Sequence, residues 1–60
     1  MDIEEDEKYK KIAFAIRMLN FHKFITTVQF IKMVTKLEKL IIKEQEMSIE
    51  EANKYLESIW

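Results

Sequence analysis

Residues 20–30 read Asn20-Phe21-His22-Lys23-Phe24-Ile25-Thr26-Thr27-Val28-Gln29-Phe30. This stretch decides whether the chain turns or runs on as one helix. Upstream, Tyr9, Ile12, Ile16 and Leu19 repeat at heptad spacing. Downstream, Phe30, Met33, Leu37 and Leu40 continue in the same frame. Only Lys23 and Thr26 interrupt the seam, and the chain contains no Gly or Pro. A single coiled-coil helix over residues 3–45 is therefore sterically open. A turn is the better reading. Thr26 is followed three residues later by Gln29, the pattern of a capping box. Ile25 and Phe30 stand at the two positions of a hydrophobic staple around it. The break in the seam thus coincides with a helix start, and a hairpin lets the chain bury its own stripe. Phe24–Ile31 is also rich in β-branched and aromatic residues, which suit a strand. It lacks the turn residues and partner strands that a sheet requires.

Working outward, Asp2…Glu5 and Ser48…Glu51 repeat the start signal, while Thr35…Glu38 matches it inside a periodic segment. The expectation is all-α: a three-helix mini-domain built on a helical hairpin, with helices over 3–19, 27–45 and 49–59. Residues 1–60 form a single helical domain. Asn20 is expected to take the left-handed conformation that ends the first helix, with residues 20–25 as the connection. The alternative is one long coiled-coil helix followed by a short C-terminal one.

Sixty residues leave room for one core. A chain of this size buries only about 60% of the surface its unfolded form exposes. Cysteine is absent, so neither a disulfide nor a thiolate metal site can form. The lack of glycine excludes phosphate-cradling loops and dinucleotide fingerprints. A hydrophobic content of 48% is too high for a disordered chain. Association is the remaining route to stability.

The net charge of −1 conceals three blocks. Residues 1–7 carry five acids and no base. Residues 8–43 carry nine bases against one acid, Glu38. Residues 44–60 are acidic again, with Lys54 the only base. The first block suits a helix N-terminus. Glu4–Lys8, Asp6–Lys10 and Glu7–Lys11 are spaced as i,i+4 ion pairs in the favourable order. The acidic start is unlike a signal peptide. The longest uncharged run beyond it, Phe24–Ile31, is far short of the ~20 residues that span a bilayer. A soluble cytoplasmic protein with no transmembrane segment is expected.

The second helix has two opposed faces. Lys32, Lys36, Lys39 and Lys43 line one side; Phe30, Met33, Val34, Leu37, Leu40 and Ile41 line the other, with Ile31 and Ile42 on the flank. The first helix carries a second stripe, Phe14, Met18 and Phe21. The third presents Ile49, Ala52, Leu56 and Ile59, with Tyr55 and Trp60 beside them. Tyr9, Phe14 and Phe30 read as core aromatics, and Trp60 as an interface residue. So many apolar stripes exceed what three helices hide. A symmetric homodimer is the expected solution. Its candidate interface comprises Phe14, Met18 and Phe21 on the first helix and Phe30, Ile31, Met33, Leu37, Leu40 and Ile42 on the second. Tyr55 and Trp60 complete it.

Catalytic and metal chemistry have no visible constellation. His22 is the only histidine, and no carboxylate stands three or four residues from it. Ser48 reads as an N-cap, and neither it nor Ser58 has an oriented base. Glu50 and Glu51 are adjacent on a helix and point about 100° apart. No catalytic residue, cofactor or metal is expected, and the chain does not read as an enzyme.

Lys43-Glu44, Ser48, Glu50-Glu51 and Lys54-Tyr55-Leu56 resemble the helical hook of small bacterial anti-repressors that sequester a biofilm master repressor. The resemblance covers about a quarter of the chain and implies interleaved, hook-like dimerisation. Thr35, Glu38 and Lys39 depart from it, standing where that hook has apolar residues.

Three functions follow from these features. The first is a non-catalytic protein–protein interaction module acting as a helical oligomer, as a regulator, inhibitor or assembly subunit, with itself and another protein as partners. The second is nucleic-acid binding through the basic block 8–43, with Lys32, Lys36, Lys39 and Lys43 as contacts. A single Arg in the whole chain weakens that reading, because Arg is the commonest direct base reader. The third is a membrane-surface helix, since the second helix is basic and amphipathic.

Overall fold

Each helix begins on the side chain that the sequence marks for it. Asp2 accepts from the Glu5 N–H at 2.9 Å, Thr26 from Gln29 at 3.1 Å and Ser48 from Glu51 at 3.2 Å. Among the described residues only Thr26 closes the box in both directions, its own N–H donating to Gln29 Oε1 at 2.8 Å. The structure, a computed structural model, describes residues 2–60. Its elements are α1 (Ile3–Phe21), α2 (Thr27–Gln45) and α3 (Ile49–Ile59). The fold is all-α, with α1 packed on α2 and α2 on α3. Thr35, the start signal inside the periodic segment, is helical, and its hydroxyl donates to the Ile31 carbonyl at 2.9 Å.

The chain does not continue as one helix through residues 22–26. The position of the stop differs from expectation. Asn20 is helical, α1 extends to Phe21, and Lys23 takes the left-handed conformation at φ 61°. Lys23 N–H donates to the Asn20 carbonyl at 3.0 Å and Phe24 N–H to the Leu19 carbonyl at 2.9 Å. This is the paired bonding of a Schellman motif, which satisfies the last carbonyls of α1. The backbone bonds fix the stop, and the residue they place in the left-handed region is Lys23. Glu46 makes the second corner at φ 53°, between α2 and α3.

Tyr9 and Ile41 are fully buried at the centre of the core. Ala13, Ile16, Leu37, Ala52 and Leu56 surround them. All three helices therefore contribute, and removing these side chains from water drives the packing. Ala13 and Ala52 are the small members, which lets the larger side chains interdigitate. Phe30 packs partly buried against the core, as expected of it. Phe14 does not: it is 61% exposed. It follows Ala13 on the helix, so its side chain projects about 100° from the core direction.

Of the three i,i+4 pairs, Asp6–Lys10 forms, at 2.8 Å. Among the described residues Glu4–Lys8 and Glu7–Lys11 do not close as ion pairs. Lys8 instead meets Glu5 at 3.2 Å and Glu44 at 2.8 Å, because the hairpin brings the end of α2 alongside the start of α1.

Candidate interaction surface

The second stripe of α1 meets the start of α2 and the end of α3 at one end of the bundle. Phe14, Met18, Phe21, Phe30 and Trp60 line an open groove there of about 300 Å³, with Arg17 and Asn20 as its polar members. Phe14 and Phe21 present most of their surface to solvent. The Phe30 and Trp60 rings lie 5.7 Å apart at 55°. Trp60 is held rather than frayed. Its N–H donates to the Leu56 carbonyl at 2.9 Å, and its main-chain oxygen accepts from Arg17 Nη1 at 2.7 Å. The Arg17 guanidinium also sits 6.0 Å from the Trp60 ring centroid, within cation–π range.

The aromatic surface continues into the turn. His22 lies 5.2 Å from the Phe21 ring and 6.2 Å from that of Phe24. Phe24, Val28 and Ile31 are all exposed. Phe24 belongs to the connection between α1 and α2, as expected of residues 24–25, while Val28 and Ile31 lie on the first turns of α2. The clamp from Arg17 to Trp60 has no sequence signal, since it joins residues 43 positions apart.

The other interface candidates are more enclosed. Leu37 is buried in the chain's own core, while Met33, Leu40, Ile42 and Tyr55 are half-buried against it. Tyr55 is engaged by the chain itself, its hydroxyl donating to Asp6 Oδ1 at 2.6 Å. Its ring meets that of Tyr9 edge-on at 6.1 Å. The Tyr9 hydroxyl donates to Glu44 Oε1 and accepts from Gln45 Nε2 at 3.1 Å.

These bonds set the charge states of the clasp. The hydrogen bond from Lys10, then that from Tyr55, holds Asp6 below the usual carboxylate range. Lys8, then Tyr9, does the same for Glu44. Burial raises both phenols, and their carboxylate partners reinforce the effect. The cluster fastens helices and offers no free nucleophile. No set of three or more His, Asp or Glu side chains converges to hold a metal among the described residues.

Lys32, Lys36, Lys39 and Lys43 are all exposed along α2. Among the described residues none has a carboxylate within 4.0 Å. No helix among them is long and apolar enough to cross a membrane. No protein-family model matches the chain, and comparisons with curated proteins and with solved structures find no match.

Proposed function

We propose that this chain is a small, non-catalytic protein–protein interaction module that works as a symmetric helical dimer, as a regulator, inhibitor or assembly subunit. The observation that carries the reading is the aromatic groove, where Phe14 is 61% and Phe21 75% exposed beside Trp60. Leaving two phenylalanines in water forfeits burial worth about 1.5–3 kcal/mol each. A second copy offers the same aromatic patch, and a two-fold contact between the two would bury both. Aromatic side chains are also those that dominate interface energetics.

Light scattering across a concentration series tests this. The expected mass is twice 7.3 kDa, and the melting temperature rises with concentration. Phe14→Ser/Phe21→Ser is expected to give a helical monomer. A wild-type monomer with a concentration-independent melting temperature overturns the dimer.

A second reading rests on the unpartnered lysine stripe of α2, which suits salt-sensitive, non-specific contact with phosphates. Micromolar binding of duplex DNA at physiological salt, lost in Lys32→Gln/Lys36→Gln/Lys39→Gln, would favour it.

A further inference from the structure

We propose that the groove between α1 and α2 docks an amphipathic helix with an acidic flank, supplied by a partner protein. The proposal rests on the chain being an interaction module and adds a second face and a partner chemistry. This groove is separate from the aromatic end. It is an open furrow of about 280 Å³ lined by Ile12 and Ile16 of α1 and by Met33, Lys36, Leu37 and Leu40 of α2. No residue of α3 reaches it. Ile16 and Leu37, 5% and 3% exposed, form a recessed floor. Ile12, Met33 and Leu40 are half-buried walls. Lys36 stands at the edge of the furrow, where the apolar face of α2 meets its lysine face, and Lys32, Lys39 and Lys43 continue that lysine face along α2 at spacings of four, three and four.

Shape and charge together select the occupant. The apolar ridge of a helix fits a furrow between two helices, the usual mode of helix-in-groove recognition. Acidic residues beside that ridge would meet Lys36 and the lysines next to it, none of which has a carboxylate within 4.0 Å among the described residues. A second copy is the poorer fit. Residues 8–43, which span both walls, carry nine bases against Glu38 alone, so two such faces would oppose like charges. A lipid surface is flat and cannot reach the recessed floor. Duplex DNA would use the lysines and leave the apolar furrow unfilled.

The test uses two labelled synthetic peptides of about 18 residues, near the length of α1 and α2. Both carry a Leu ridge at heptad spacing; one has Glu at the flanking positions and the other Lys. Fluorescence anisotropy is expected to show the Glu peptide binding about tenfold or more tightly than the Lys peptide. Lys32→Glu/Lys36→Glu/Lys39→Glu/Lys43→Glu is expected to reverse that order, a result that misfolding cannot mimic. Met33→Gln keeps the lysine face and is expected to weaken the Glu peptide. Equal binding of the two peptides, binding of neither, or displacement of the Glu peptide by duplex DNA or by phosphatidylglycerol vesicles overturns the proposal. Light scattering on the same samples separates the two readings. A dimer that ignores both peptides removes the groove partner alone. A monomer that ignores both removes the interaction module as well.

Discussion

The Tyr9 hydroxyl donates to Glu44 Oε1 at 2.5 Å, joining the first half of α1 to the end of α2 across 35 positions of sequence. The Tyr9 ring is wholly buried, so the bond lies where core and clasp meet. Tyr9→Phe keeps the ring, removes the donor to Glu44 and takes an acceptor from Gln45. The expected cost is about 0.5–1.5 kcal/mol, the net worth of one such hydrogen bond. Tyr9→Ala should cost about 3–5 kcal/mol, because it also empties the core. Urea unfolding of both variants separates the two contributions. A Tyr9→Phe variant as stable as the wild type would show that the hydroxyl adds nothing.

The same clasp predicts acid sensitivity. Lys10 and Tyr55 hold Asp6 below its ordinary 3.8, and Lys8 and Tyr9 hold Glu44 below its ordinary 4.5. A carboxyl with a depressed folded-state pKa stabilises the fold fully above its unfolded value. That stability is lost as pH falls through the folded value. The melting temperature is therefore expected to drop as pH falls below about 4.5. Glu44→Gln should lower it at neutral pH and flatten the acid limb. Both phenols are raised from 10.0, chiefly by burial, so stability should also fall as pH climbs past that value. A melting temperature independent of pH between about 6 and 3 would contradict the clasp.

Leu37 and Ile31 put the two apolar sides of α2 to the test. Leu37 is 3% exposed and Ile31 57%. Leu37→Ala is expected to cost about 2–5 kcal/mol, enough to unfold much of so small a domain. Ile31→Ala, measured in dilute solution where association is suppressed, should change stability by no more than about 0.5 kcal/mol. Thermal unfolding followed by circular dichroism reads both.

The helix starts were legible because each rests on a local rule, a short polar side chain capping the N–H three residues on. Asp2, Thr26 and Ser48 all obey it. The buried faces of α2 and α3 were legible for a similar reason. Leu37, Ile41, Ala52 and Leu56 fall on the predicted stripes. Helix ends were harder to read. In a chain without glycine, Asn20 is the residue near the end of α1 whose type favours the left-handed position, yet that position falls on Lys23, and at the end of α2 on Glu46. Phe14 was misplaced because α1 carries two apolar stripes, and sequence alone does not rank which one faces α2. The contacts from Lys8 and Tyr9 to Glu44, and from Arg17 to Trp60, depend on the hairpin and the return of α3. No local pattern encodes them.

The turn between α1 and α2 yields a test with opposite signs at two nearby positions. Lys23 sits at φ 61°, where its Cβ crowds the backbone. A non-glycine residue in that region costs roughly 1–2 kcal/mol, and glycine escapes the crowding while losing more chain entropy on folding. Lys23→Gly is therefore expected to stabilise the protein by about 1 kcal/mol, raising the melting temperature by about 4–8 °C. Asn20 lies in the last turn of α1 and is helical. Asn20→Gly should lower stability by about 0.5 kcal/mol, because glycine weakens a helix without relieving any strain there. Differential scanning calorimetry of the two variants reads the signs directly. If Asn20→Gly stabilises and Lys23→Gly does not, the left-handed residue is Asn20, and α1 ends before the Schellman bonds from Lys23 and Phe24 can form.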